Sequence, residues 1–186
     1  ALLGLVKGIE GTLVESFSSR GTDVVLTEAG AADVLSSVVP VGLVDEVAQV
    51  EGVAAAAPEL GRMTTVGENT TSFIIGWPAD AFGMRAMEIV EGRFPLPEDR
   101  TETVAGGITL GTRLAERLDV GVGDLVEVFA TDFVVTGLYT SEGVMAMNGA
   151  LTLIEDMQAQ TYRDGQATSI VVQLSDDLSP VERDAA

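Results

Sequence analysis

Between Gly106 and Phe129 the chain reads Gly-Gly-Ile-Thr-Leu-Gly-Thr-Arg-Leu-Ala-Glu-Arg-Leu-Asp-Val-Gly-Val-Gly-Asp-Leu-Val-Glu-Val-Phe, and no other stretch constrains the fold as tightly. Leu110, Leu114 and Leu118 recur at helical spacing. Gly121 and Gly123 are expected to stop that helix, and Leu125, Val126, Val128 and Phe129 read as a strand. Asp124 stands where a turn carboxylate can bond nearby backbone N–H groups. The result is a short amphipathic helix joined to a strand through one turn.

The remaining chain alternates the same two periodicities. Leu2, Val6, Ile9, Leu13 and Phe17 predict an amphipathic helix over residues 1–19, either a stalk or a terminal helix packed on its own domain. Asp23 to Thr27 reads as a buried strand and 28–39 as a small-residue loop. A helix is expected from Pro40 to Val50, with Leu43, Val44 and Val47 on one face, before a strand from Val53 to Leu60. From Arg62 the pattern changes to hairpins: Arg62–Val66, a Gly67-Glu-Asn69 turn and Thr70–Trp77, followed by a helical turn at Ala81–Met87. Asn69-Thr-Thr71 matches a glycosylation acceptor, but the turn chemistry of Asn69 explains it equally well. Phe133–Tyr139 reads as a strand and Ser141–Asn148 as a crossover. A strand at Gly149–Ile154, a helix at Glu155–Tyr162 and a strand at Thr168–Leu174 then form a second β-α-β unit.

Composition removes several function classes. The 186 residues are 46% hydrophobic, ample for a packed core. Acidic residues number 29 against 10 basic, a net charge of −19 that repels nucleic acid and anionic headgroups. Lys7 is the single lysine; that skew fits either a GC-rich genome or an acidic surface suited to high salt. With no cysteine and no histidine, the chain has no thiol nucleophile, no cysteine-ligated zinc and none of the usual general base. Its near-apolar start, Ala1 to Val6, is far short of the roughly 20 residues that span a bilayer.

Three further segments, taken in order around the helix-turn-strand unit, carry a resemblance: Gly52-Val-Ala-Ala-Ala-Ala-Pro58, Val90-Glu-Gly-Arg-Phe94 and Phe133-Val-Val-Thr-Gly-Leu138. Together they resemble the extracytoplasmic (periplasmic core) domain of ABC transporter permeases of the MacB, LolC and FtsX type, over about Thr22 to Leu174. The resemblance implies a non-catalytic extracytoplasmic part of a plasma-membrane protein, flanked by transmembrane helices. In such permeases a separate cytosolic ABC ATPase subunit handles ATP, the full-length permease is a dimer, and an adaptor, lipoprotein or cell-wall enzyme can be engaged outside. The chain has no initiator Met, and Ser179-Pro-Val-Glu182 forms a capping box for a helix cut off four residues later, so a longer native chain is expected.

The expected fold class is α+β: a discontinuous ferredoxin-like β-α-β/β-α-β lobe, membrane-proximal, from residues 1–60 and 149–186, with a mainly β lobe inserted over 61–148. No cofactor and no nucleic-acid partner is expected, and no metal: the adjacent pairs Asp45/Glu46, Glu98/Asp99, Glu155/Asp156 and Asp176/Asp177 do not face one another and have no calcium-loop spacing. No phosphate-binding glycine motif follows a strand, and the serines lack a lysine dyad or nucleophile elbow. For partner contact the candidates are Trp77, Phe82 and Met84, with Met87 beside them and core filling as their default role, and Met145 and Met147 in the crossover. The competing function is a secreted binding module or enzyme; an FtsX-like regulatory domain would share the fold but transport nothing.

Overall fold

The computed structural model describes residues 3–5, 21–141 and 143–176. Ten strands form one sheet: β1 (Leu3–Leu5), β2 (Val24–Glu28), β4 (Val53–Val66), β5 (Thr70–Trp77), β6 (Glu88–Gly92), β7 (Gly107–Gly111), β8 (Leu125–Val128), β9 (Thr131–Thr140), β10 (Ala150–Leu153) and β12 (Ser169–Leu174). Two two-residue strands, β3 (Val39–Pro40) and β11 (Gln166–Ala167), pair separately. Four short helices, α1 (Leu43–Val47), α2 (Thr112–Leu118), α3 (Val144–Met147) and α4 (Ile154–Thr161), and two 3-10 helices, Phe82–Ala86 and Pro97–Asp99, complete the described elements.

Part of this sheet closes on itself. The path β4-β5-β10-β7-β9 continues to β8, which returns to β4 through Val66 opposite Val128. The Gly67 N–H donates to the Glu127 carbonyl at 2.9 Å beside that junction. One apolar cluster joins Leu60 and Val66 of β4, Ile74 of β5, Ile108 and Leu110 of β7, Val126 and Val128 of β8, and Phe133 and Val135 of β9, with Leu114 of α2 and Met157 of α4. Alternate residues of the same strands serve a second cluster on the other face: Ile75 and Trp77 of β5 and Leu151 of β10.

In β9 the alternation is broken on purpose. Ile108 pairs with Val135 but Thr109 pairs with Gly137, so Thr136 is the extra residue of a bulge. Before it Phe133 and Val135 belong to the first cluster; beyond it Leu138 packs on the first and Tyr139 is buried in the second. One inserted residue thus exchanges the faces.

The α+β class holds, but the ferredoxin-like strand arrangement does not. The order is β1-β2-β12-β4-β5-β10, so two strands stand between β12 and β10, which pairs in parallel with β5 and antiparallel with β7. Every residue of β10 is buried, which suits a position covered on both faces. β4 runs unbroken across residue 60, pairing with β12 in its first half and β5 in its second.

Several local expectations are also corrected. Leu3–Leu5 pairs as a strand with Leu26–Glu28 rather than forming helix, while 6–20, the rest of the expected stalk, and the capping box at 179–182 lie outside the described residues. Pro40 sits in β3, opposite Gln166, and the helix begins only at Leu43. Leu110 belongs to β7, a buried strand whose short apolar run cannot be told from helix by spacing alone. α2 ends before Gly121 because Asp119 takes the left-handed conformation at φ 55°. Strand β6 has no counterpart in the sequence reading.

Candidate functional site

Trp77 ends β5, and the chain turns immediately into a 3-10 helix at Phe82–Ala86. Trp77, Phe82, Met84 and Met87 are 1%, 8%, 5% and 6% exposed. They pack with Ile75, Tyr139, Leu151 and Val171. The Trp77 Nε1–H donates to Glu59 Oε2 at 3.0 Å, so the indole's one polar group is satisfied inside. Gly83 lies so close to the indole that a Cβ there would come within 2.5 Å of the ring. These side chains fill core and offer a partner no surface.

The crossover behaves differently. Its four-residue helix α3 is fastened by backbone acceptors: Tyr139 Oη–H donates to the Ala146 carbonyl at 2.7 Å, and Ser72 Oγ–H to the Asn148 carbonyl at 2.7 Å. Asn148 Nδ2–H closes the helix on the Val144 carbonyl at 2.8 Å. A Cβ on Gly111 would stand 2.3 Å from the Met147 carbonyl oxygen, so the glycine lets α3 press against the start of α2. Held this way, Val144 and Met145 remain 57% and 41% exposed, whereas Met147 is half-buried, its sulfur 3.7 Å from Thr140 Oγ1. Met145 edges a shallow recess of ≈ 10 Å³ whose other walls include Phe73, Ile75, Met87 and Tyr139, room for about one water. The structure therefore separates the buried candidates Trp77, Phe82 and Met84 from half-buried Met147 and exposed Met145, and sets Val144 beside Met145 as an exposed neighbour. Val144 was not singled out by sequence; its place beside Met145 after Gly143 was the available signal.

The sequence reading also missed two ion pairs on a neighbouring face. Arg93 grips Asp99 with both terminal nitrogens, Nη1 to Oδ2 at 2.8 Å and Nη2 to Oδ1. The Arg100 Nε–H donates to Asp156 Oδ1 at 2.7 Å, with Nη2 on the same oxygen. Arg93 beside it holds the Asp99 carboxyl below the usual carboxylate range. Asp156 goes the other way: burial raises it, against the opposing pull of Arg100. Between Arg100–Ala105 and α4 lies a hollow of about 380 Å³, whose walls include Thr131, Glu155 and Gln160. Among the described residues no group of three or more Asp or Glu is placed to hold a metal.

The combination of closed β ring, β2–β12–β4 flank and small helices is a known arrangement. It is similar to the periplasmic region of MacB from Actinobacillus actinomycetemcomitans, with a TM-score of 0.64 at 13% identity over 94% of this chain and 85% of that one. It is also similar to the extracellular domain of the noncanonic ABC-type transporter YknZ from Gram-positive bacteria, with a TM-score of 0.60 at 15% identity over 75% of each chain. Both likenesses are of fold. No curated protein matches the sequence. The model of the MacB-like periplasmic core domain matches residues 1–185. The chain belongs to that family, and the resemblance read from its sequence is the right one. No helix among the described residues is long and apolar enough to cross a membrane.

Proposed function

We propose that this chain is the non-catalytic extracytoplasmic domain of an ABC transporter permease in a plasma membrane, and that it relays the effect of cytosolic ATP hydrolysis to a substrate or an extracytoplasmic partner. The observation that carries the reading is the family match over residues 1–185, joined to the adjacency of β2 near one end of the chain and β12 near the other. β2 and β12 are antiparallel neighbours, with Val24 opposite Val172. A displacement applied to both ends of such a domain enters at one place and is distributed through one continuous sheet, the kind of two-ended element a conformational relay needs.

In this reading the flank built on β2, β12 and the first half of β4 is membrane-proximal, the closed ring, which includes β10, is distal, and a cytosolic ABC ATPase subunit supplies the energy. Val144 and Met145 are the contact offered to an adaptor, a lipoprotein or a cell-wall enzyme, and the full-length permease works as a dimer. A secreted module or enzyme has no specific observation in its favour.

The test is made on the full-length protein with its ATPase subunit in membranes. Replacing residues 21–176 by a short flexible linker is expected to abolish transport, or activation of the outer partner, while nucleotide hydrolysis persists. Undiminished transport by the shortened protein would overturn the proposal.

A further inference from the structure

After the Pro97–Asp99 turn the chain crosses residues 100–105 before entering β7, and this segment is fastened at two points of opposite chemistry. The first is Arg93–Asp99; Asp99 Oδ2 additionally accepts the Leu96 N–H at 2.7 Å. The second is Arg100–Asp156, in which the arginine side chain is 50% exposed and the aspartate side chain 0% exposed. Asp156 Oδ1 takes both Arg100 bonds, while Oδ2 is buried without a hydrogen-bond partner. That second oxygen lies against Gly106, where a Cβ would come within 2.2 Å of it, so only glycine leaves room for the carboxyl.

We propose that residues 100–105 are an acid-released strap: proton uptake at Asp156 frees Arg100 from α4 and opens the hollow beneath, while the Arg93–Asp99 fastening keeps the turn that precedes the strap in place.

The proton has a place to go, since it adds to Oδ2 without displacing any donor. Arg100 then faces a neutral acid, and the charge–charge attraction that draws the guanidinium onto Oδ1 is lost. Its half-exposed guanidinium is hydrated instead, so nothing is left as a buried lone charge. The charges that reach Asp156 are Arg100, which opposes protonation, and Glu155 on α4 and Asp99 in the turn before the strap, which favour it. The strands β5 and β10 against α4 carry no titratable side chain, and β4 carries Arg62 and Glu59, the latter engaged by Trp77. Burial raises Asp156 and Arg93 lowers Asp99, so the two fastenings are lost at well-separated pH. Beyond Arg100 the Ala105 N–H to the Asp132 carbonyl at 2.8 Å ties the strap to β9, while the Thr101 N–H to the Val104 carbonyl at 3.0 Å and the Thr103 and Val104 N–H groups on Thr101 Oγ1 close a turn within it.

The Thr101 and Ala105 amides report the strap, and the Leu96 amide reports the first fastening. Residue-resolved amide exchange on the 186-residue chain, corrected for intrinsic rate, is expected to lose about tenfold in protection at Thr101 and Ala105 as the pH falls from neutral towards the ordinary aspartate range, with Leu96 unchanged. A carboxyl-carbon NMR titration should place the Asp156 midpoint at the same pH. In Asp156→Asn, and independently in Arg100→Gln, protection at Thr101 and Ala105 should already be low at neutral pH and no longer vary. Unchanged protection across this range in the unaltered chain overturns the proposal, as does a pH response that survives in either variant.

Discussion

Asp23 and Leu174 are 151 residues apart in sequence and directly bonded: Asp23 Oδ2 accepts the Leu174 N–H at 2.8 Å. The Asp23 N–H in turn donates to the Val172 carbonyl at 2.9 Å. The residue before β2 and the last residue of β12 are therefore clipped together across neighbouring strands.

Removing the clip should be felt locally and modestly. Asp23→Ala is expected to cost about 1 kcal/mol, the usual net worth of one partly buried hydrogen bond, and to accelerate exchange at the Leu174 amide. Urea unfolding and amide exchange check both; an unchanged Leu174 amide would show that the side-chain bond is not formed in solution.

The two kinds of candidate residue predict opposite phenotypes. Trp77→Ala removes a 1%-exposed indole from the second cluster and should destabilise the fold by about 3–5 kcal/mol. Met145→Ser, at a position 41% exposed, should cost less than about 1 kcal/mol. In the full-length protein Met145→Ser should nevertheless weaken engagement of the outer partner, measured as lost transport or partner activation at wild-type expression. Normal function in that variant would remove α3 from the contact surface.

The turn between β8 and β9 stores strain that can be relieved. Val128 pairs with Thr131, leaving Phe129 and Ala130 at φ 55° and 60°. Both central residues of this tight hairpin are left-handed, a conformation that favours Asn-Gly and penalises side chains with a Cβ. Phe129 is retained by its packing against the first cluster, but Ala130 is exposed. Ala130→Gly is expected to raise stability by about 0.5–1 kcal/mol, the relieved strain being partly offset by glycine's greater freedom in the unfolded chain. A lower urea midpoint would contradict this.

Asp99 and Asp156 should leave opposite signatures in the pH dependence of stability. Asp99 has a lowered folded-state value, so its contribution is present above the ordinary 3.8 and disappears as pH falls through the folded value. Asp156 has a raised value, so its contribution is present below 3.8 and lost as pH rises through the folded value. Asp156→Asn should therefore melt higher than the unaltered chain at neutral pH, with the gain shrinking towards acid, while Asp99→Asn should melt lower at neutral pH. Melting scans across the acid range decide it: a gain that does not shrink would refute the assignment for Asp156.

Local periodicity and turn chemistry settled much of this protein in advance. The leucines at 114 and 118, the carboxylate of Asp124 bonding the Gly121 N–H at 2.8 Å, strand β9, helix α4 and strand β12 were all legible, because each is specified by residues within a few positions of one another. The family was legible for the same reason, through an ordered set of short segments. What local pattern does not encode is which strand stands beside which, and that depends on pairings across the whole chain.

Tertiary structure alone moved Leu110 from helix to strand, drew Pro40 into a pairing with Gln166, carried β10 into the closed ring and placed the bulge at Thr136 that turns Tyr139 towards α3. It also brought Arg100 to Asp156 across 56 positions and buried Trp77 while leaving Met145 in reach of solvent. A short apolar run has the same appearance in a buried strand, a helix or a surface loop, and its role is decided only when distant segments compete to cover it.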